Sequence, residues 1–316
     1  MIMTRTHLFR WSCLLTLFAA VVSCHMGDST GIRVALNPEQ IRLERINTID
    51  STTLRTILNP DSVEGWEQVA ALSADAWMLI DDSTGYVISQ KYANEPRFMA
   101  SLTKMMTCLL ALENGNRTDT VRITDDVFVC KDSRVRPGEG YVLQDLLYEM
   151  MLQSDNDAAY ALAKHIGGDT IRFCEMMNEK AAYLGMGDTH FANPNGMPAS
   201  DNYSSASDLI RLARYAMRDS LFATIVGTAE KKVPFIDGRH MDCHNTNVLL
   251  STYEGCIGIK TGYTRQAGNC LASAATRDGR TLYCVLLNSR SMRSRFTESA
   301  ILLDYGFRVM KTLTDR

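Results

Sequence analysis

The order of strand-like and helix-like segments is the strongest constraint on the fold of this chain. Apolar or alternating runs separated by turn residues occur over residues 77–88 and again over residues 255–288, and they predict antiparallel strands. Segments with helical spacing lie between them, and a closing helix is predicted over residues 295–311. A sheet of about five antiparallel strands, built from both ends of the chain and flanked by a helical subdomain, satisfies this order. The predicted class is therefore α/β, of the α+β type.

Composition and charge narrow the range of functions. The chain has 316 residues, of which 46% are hydrophobic, and its formal net charge is −3. So high an apolar fraction with so little net charge excludes a largely disordered protein. The absence of a basic excess argues against binding to phosphate backbones, so no nucleic-acid partner is predicted.

The first 23 residues have the pattern of an export signal. Arg5 and Arg10 precede an apolar run over residues 11–22. A helix of that length spans roughly 18 Å, which is shorter than the ~30 Å core of a bilayer. We therefore predict a signal peptide at 1–23, followed by a polar spacer at 24–72 and a folded domain at 73–316.

The export signal ends in Val-Val-Ser-Cys, which is similar to a bacterial lipobox. In that interpretation Cys24 becomes the mature N-terminus and carries lipid, while ordinary cleavage after Ser23 is the alternative. The later cysteines lie mostly among apolar neighbours and form no C-x-x-C motif, which predicts core thiols instead of a zinc or redox site. They are Cys108, Cys130, Cys174, Cys243, Cys256, Cys270 and Cys284.

Three short polar motifs follow one another along the chain. They are Ser101-Leu102-Thr103-Lys104, Ser154-Asp155-Asn156 and Lys260-Thr261-Gly262. In the first motif, serine and lysine lie three residues apart at a helix start and therefore share one face. A serine hydroxyl needs a base, and a lysine serves as one when burial and a neighbouring cation, such as Lys260, lower its pKa.

The predicted positions of the motifs favour a single site. The helix start offers backbone N–H groups and a positive dipole end where an oxyanion would form. The second motif lies between two helices, and the glycine of the third allows a substrate backbone to lie along a strand edge. Taken alone, Ser101 is also an ordinary helix cap, and Lys104 and Lys260 are ordinary surface charges. Their occurrence together and in this order predicts chemistry.

This set of motifs resembles the signature of penicillin-binding proteins and class A β-lactamases. Within that superfamily, the chain is similar to the D-alanyl-D-alanine carboxypeptidases, the S11 serine peptidases, over about residues 74–308. The stretches that match the family pattern are 100–107, 154–159, 191–197 and 258–264. The resemblance implies a β-lactamase/transpeptidase-like fold and a low-molecular-mass penicillin-binding protein.

The resemblance also implies roles for individual residues in removing the last D-alanine of a peptidoglycan stem peptide. Ser101 would attack the carbonyl between the two D-alanines, and Lys104 would take its proton. Ser154, held by Asn156, would relay a proton to the leaving D-alanine, with positive charge supplied by Lys260.

Binding of the substrate is assigned by the same resemblance. Thr261 and Arg295 would bind the terminal carboxylate, Gly262 would lie beside the substrate, and the N–H groups of Ser101 and Tyr263 would form the oxyanion hole. β-Lactam antibiotics would acylate Ser101 and remain bound. The reaction needs no cofactor and no metal.

Several alternatives remain open on the sequence. The chain ends before the second, all-β domain that many family members carry, so we expect anchoring to the membrane through lipid on Cys24 and a periplasmic location. A D,D-endopeptidase that cuts cross-links, or a penicillin-binding sensor without turnover, would use the same motifs. A β-lactamase is disfavoured because residues 189–200 contain no glutamate for deacylation.

A cluster of polar residues stands apart from the three motifs. The segment 240–244 reads His-Met-Asp-Cys-His, which is either a metal site or a polar loop that leads into the next strand. We favour the loop.

Overall fold

The computed structural model of the protein describes residues 63–128 and 133–314. Its strands are β1 (Ala76–Asp81), β2 (Val87–Lys91), β3 (Thr120–Arg122), β4 (Gly140–Val142), β5 (Glu230–Pro234), β6 (His240–His244), β7 (Cys256–Thr264), β8 (Gly268–Arg277) and β9 (Arg280–Ser289). Its α-helices are α1 (Trp66–Ala70), α2 (Lys104–Asn114), α3 (Leu143–Tyr148), α4 (Asn156–Gly167), α5 (Thr170–Tyr183), α6 (Ala206–Ala216), α7 (Ser220–Gly227), α8 (Leu249–Thr252) and α9 (Met292–Thr314). A 3-10 turn precedes α2, and a π-helix follows α3.

A five-stranded sheet forms the centre of the fold. Its strand order is β2-β1-β9-β8-β7, and every neighbouring pair is antiparallel. The predicted sheet built from both ends of the chain is therefore confirmed. Strand β7, which carries the third motif, lies at one edge of this sheet.

The two faces of the sheet bury two separate hydrophobic clusters. Along β1, Ile80 contributes to the cluster under the helical subdomain, whereas Trp77 and Leu79 contribute to the cluster under α9. This alternation follows from the period of two residues in a strand. The sheet is thus covered by helices on both faces, which explains why its central strands are almost continuously apolar.

Helix α1 corrects the predicted boundary at residue 73. Val69 is fully buried, the Trp66 and Tyr305 rings lie 6.2 Å apart, and Arg308 donates to the carbonyl of Glu64 at 2.9 Å. These contacts attach α1 to α9. The packed part of the chain therefore begins before residue 73, inside the segment predicted to be a polar spacer.

Helix α2 runs through the middle of the helical subdomain. All nine residues from Lys104 to Leu112 are buried, and Lys104 and Thr107 are the polar residues among them. The helix predicted from residue 101 is present, but its first turn, Ala100–Thr103, is a 3-10 turn.

The segment His240–His244 is strand β6 and not a loop, so that prediction was wrong. It pairs with β5, burying Met241 and Cys243 while both histidines remain exposed. Within residues 63–128 and 133–314, no group of three or more histidine, cysteine or acidic side chains is arranged to hold a metal ion.

The predicted signal peptide, its lipidated Cys24 and the core thiol Cys130 lie outside the described residues. Six cysteines inside them are free, namely Cys108, Cys174, Cys243, Cys256, Cys270 and Cys284. Among the helices in the described ranges, none combines the length and apolar character needed to cross a bilayer.

Candidate active site

Ser101 lies in the 3-10 turn, where two glycines pack against its backbone. A Cβ atom at Gly262 would lie 3.1 Å from the Ser101 nitrogen and 3.0 Å from the Met99 oxygen. A Cβ atom at Gly196, whose φ is +86°, would overlap the Ala100 carbonyl. Gly262 was expected to leave room for a substrate backbone. The space that a Cβ atom of Gly262 would fill is occupied by the turn, which packs the nucleophile candidate against strand β7, and room for a substrate backbone along the strand edge stays a prediction.

Lys104 forms the centre of a compact hydrogen-bonded group. Its fully buried Nζ atom lies 3.0 Å from Ser101 Oγ, 2.8 Å from Asn156 Oδ1 and 2.7 Å from the Asn195 carbonyl oxygen. The amide oxygen and the carbonyl can only accept hydrogen bonds. A neutral Lys104 therefore places its two hydrogens on these oxygens and its lone pair toward Ser101 Oγ. This geometry suits removal of the serine proton.

The Asn195 carbonyl was not identified from the sequence. It belongs to a loop fixed by Thr107 Oγ1, which donates to the Pro194 carbonyl at 2.6 Å, and by Gly196 N–H, which donates to Asn193 Oδ1 at 2.7 Å. Residues 191–197 match the family pattern, but a backbone carbonyl has no residue type of its own. The turn-forming sequence Asn-Pro-Asn-Gly was the available signal.

The second motif lies where the π-helix Glu149–Gln153 meets α4. Ser154 is half-buried in a left-handed conformation, with φ 63° and ψ 30°. Asp155 caps α4 by accepting from two backbone N–H groups, and it also accepts from Ser133 Oγ at 2.8 Å. Asn156 reaches Lys104 directly, so the structure connects the first and second motifs.

Glu149 begins the same π-helix and is fully buried. Its Oε2 atom accepts from the Cys243 thiol at 2.7 Å, and its Oε1 atom has no hydrogen-bond partner among the described residues. Burial, assisted by Asp155, raises the pKa of Glu149 to about 7, although Cys243 and Arg134 act in the opposite direction. A titratable carboxyl is therefore buried at the start of the π-helix that directly precedes Ser154, and the sequence analysis did not identify it.

Lys260 projects from β7 into the interior, where it is 1% exposed. Burial, followed by the charges of Lys104 and Arg295, lowers the pKa of Lys260 well below its usual value. Its Nζ atom makes no hydrogen bond to the described residues. Mutual repulsion disfavours two protonated lysines in one buried site, and the supply of positive charge by Lys260 to the proton relay stays a prediction.

The residues expected to bind substrate lie on β7 and at the start of α9. Thr261 is buried, and its Oγ1 atom lies 2.6 Å from Thr246 Oγ1. Arg295 is 5% exposed, its Nη1 atom donates to the Gly262 carbonyl at 3.0 Å, and burial lowers its pKa. Tyr263 projects into solvent and is 60% exposed.

The site combines two features. A lysine amine contacts a serine hydroxyl at a helix start, and a second buried lysine lies on the adjacent edge strand. Together they define a serine–lysine enzyme for acyl transfer. Residues 64–291 match the family described as D-alanyl-D-alanine carboxypeptidase, and the chain belongs to this family of serine peptidases. The family resemblance noted in the sequence is therefore confirmed.

Individual relatives agree with this assignment. The chain is 32% identical over 249 residues to the D-alanyl-D-alanine carboxypeptidase DacF of Bacillus subtilis, a match that covers 77% of this chain but only 64% of the relative. It is 35% identical to the D-alanyl-D-alanine carboxypeptidase of Streptomyces sp. strain K15, covering 72% and 85%. The crystal structure of the Streptomyces K15 DD-transpeptidase aligns with a TM-score of 0.72 at 34% identity, over 75% of this chain and 98% of that one. The predicted fold is confirmed by this similarity.

Proposed function

We propose that the protein removes the terminal D-alanine from peptidoglycan stem peptides through an acyl-serine intermediate. The observation that carries this proposal is the 3.0 Å contact between Lys104 Nζ and Ser101 Oγ, completed by two acceptors on Asn156 and Asn195. Family membership supports the substrate class. Deprotonation by Lys104 makes the serine oxygen a nucleophile at neutral pH.

The reaction proceeds in two halves. Ser101 Oγ attacks the carbonyl of the penultimate D-alanine while Lys104 takes its proton, and the negative oxygen is held by the N–H groups of Ser101 and Tyr263. The C–N bond then breaks, and the leaving amine receives a proton through Ser154, whose hydroxyl is resupplied from the lysine pair. Water next attacks the ester, Lys104 takes a proton from the water and returns it to Ser101 Oγ as the bond between the acyl carbon and Oγ breaks, and the shortened peptide is released.

Recognition of the substrate rests on its terminal carboxylate. Thr261 supplies a hydroxyl, and Arg295 supplies a buried positive charge next to the Gly262 carbonyl. A β-lactam presents a strained amide and a carboxylate in similar positions, so it acylates Ser101 and is lost slowly. All groups needed for this chemistry are side chains and backbone amides of the chain, so the proposal includes no cofactor.

Release of D-alanine from a pentapeptide, together with labelling by fluorescent penicillin, tests the assignment. Ser101→Ala should abolish both signals, and Lys104→Ala should fail at acylation. Ser251→Ala, which removes a hydroxyl at an exposed position of helix α8, is the matched control and should behave like the wild type. Covalent labelling of the Ser101→Ala variant would remove Ser101 from its role, and acylation of the Lys104→Ala variant at the wild-type rate would contradict the general base.

The same acyl-enzyme permits a second outcome that the assay distinguishes. The similar crystal structure from Streptomyces K15 is that of a DD-transpeptidase, so transfer of the acyl group to an amine is a specific alternative to hydrolysis. Adding an amine acceptor such as glycine and quantifying both products separates the two reactions. Cross-linked muropeptides as substrates similarly test for endopeptidase activity.

We further propose that residues 1–23 direct export, and that Cys24 carries lipid that holds the enzyme to a membrane in the periplasm. The spacer then runs from residue 24 to the packed part of the chain, which includes α1. The support is the pattern of charge and apolar residues before Cys24. Mass spectrometry of the mature N-terminus tests the proposal: a diacylglyceryl mass on Cys24 supports it, and an unmodified cysteine contradicts it.

A further inference from the structure

Thr246 contacts two elements that border the site, the π-helix Glu149–Gln153 and strand β7. Its backbone N–H donates to the Leu152 carbonyl at 3.1 Å, and Leu152 is two residues before Ser154. Its side-chain Oγ1 atom lies 2.6 Å from Thr261 Oγ1 on strand β7. One residue therefore contacts the π-helix that precedes the second motif through its backbone, and the third motif through its hydroxyl.

The segment that carries Thr246 is fixed on both sides. Asn245 donates to the Thr228 carbonyl at 3.0 Å, and its Oδ1 atom accepts from the Asn247 N–H at 2.9 Å. Asn247 Oδ1 in turn accepts from the Leu249 N–H at 3.2 Å, at the start of α8. These side-chain bonds hold the backbone in successive turns. The Thr246 hydroxyl is therefore presented to Thr261 from a constrained position.

The direction of the hydroxyl pair follows from the chemistry of the ligand. In the proposed function, on which this inference rests, Thr261 binds a carboxylate. An ionised carboxylate only accepts hydrogen bonds, so the hydrogen of Thr261 must point toward the substrate. The bond between the two threonines must then be donated by Thr246. We propose that Thr246 is a positioning residue that orients the Thr261 hydroxyl toward the terminal carboxylate of the substrate.

Two consequences separate this role from a merely structural one. A chain of hydroxyls that ends on an anion is polarised along its length, so loss of the first donor weakens the bond to the carboxylate. The bond to Leu152 uses the backbone of Thr246 and survives a change of side chain. Removing the hydroxyl should therefore impair recognition of the carboxylate and leave the Ser154 side of the site unchanged.

The test compares Thr246→Val with the wild type on two peptides that end in D-Ala-D-Ala, one with a free carboxylate and one with a terminal amide. Loss of one supporting hydrogen bond should lower kcat/KM for the free acid about three- to tenfold, mainly through KM, and should leave the amide unaffected. Thr246→Ser keeps the hydroxyl and should restore wild-type values. Thr252→Val removes a hydroxyl at an exposed position of helix α8, where it donates to the Val248 carbonyl, and should change the turnover of neither substrate.

An equal loss on the acid and the amide in Thr246→Val would overturn the inference in favour of a structural role. Unchanged turnover of the acid would overturn it as well. The proposed function is tested separately by D-alanine release from the wild type. If the wild type released none, acylation by benzylpenicillin and by its methyl ester would give the same comparison, because only the former has a free carboxylate.

Discussion

Replacing Glu149 by glutamine should remove a loss of stability that the wild type suffers as the pH rises. The carboxyl is fully buried, and its pKa is raised from 4.5 to about 7, chiefly because burial penalises its charged form. The folded state therefore binds this proton more tightly than the unfolded chain does. The stabilisation is fully present below about pH 4.5 and is lost progressively as the pH rises through about 7.

The size of the effect follows from the two pKa values. At about 1.4 kcal/mol for each unit of pKa, the difference between 4.5 and about 7 corresponds to about 3 kcal/mol in the free energy of unfolding. Glutamine has the shape of the protonated carboxyl and does not titrate. The stability of Glu149→Gln relative to the wild type should therefore increase by about 3 kcal/mol between pH 4.5 and pH 8.

Urea unfolding at a series of pH values, followed by tryptophan fluorescence, measures this difference. Contributions of other titrating groups cancel where both proteins share them. Glu254→Gln, which changes an exposed carboxylate, is the matched control and should show no such increase. A stability difference between Glu149→Gln and the wild type that stayed constant across this range would refute the reasoning.

Two further substitutions test the packing around the nucleophile. Gly262→Ala should slow acylation by penicillin about tenfold with little change in Tm, because the new Cβ lies 3.1 Å from Ser101 N and must displace the turn. An acylation rate equal to that of the wild type would contradict the role of Gly262 in placing Ser101. Thr107→Val should lower the free energy of unfolding by about 1–2 kcal/mol, because it leaves the Pro194 carbonyl without its donor. Thermal unfolding and the acylation rate of Thr107→Val measure this effect. An unchanged Tm would show that the loop around Pro194 is held without the bond from Thr107.

The central sheet could be predicted because its strands are apolar runs bounded by turn residues, and burial on both faces requires such runs. The hairpin of β5 and β6 could not, because three of the five side chains in His240–His244 face solvent and the segment has only two apolar residues. Helix α1 was missed for a related reason. It is five residues long, and only its contacts with α9 make it part of the domain.

The features of the site likewise divide into those that the sequence identifies and those that only the structure reveals. Ser101, Lys104 and Asn156 were identified because their chemistry requires particular side chains at a particular spacing, and the structure joins them by hydrogen bonds. The Asn195 carbonyl and the role of Gly262 depend on how distant segments approach, which residue type does not encode. The lowered pKa of Lys260 is likewise a property of the assembled interior and of no single motif.

The state of the cysteines has a practical consequence for anyone who prepares this enzyme. The six cysteines in the described part of the chain are free, and burial raises the pKa of each thiol, to about 11 for Cys174 and Cys270 and about 12 for Cys284. Thiolate, the form that oxidants and alkylating reagents attack, is therefore scarce at neutral pH. Since none of these six thiols is cross-linked, no disulfide among them has to form for this part of the chain to fold. Expression without a disulfide-forming pathway, and purification in the presence of reductant, should therefore yield active protein.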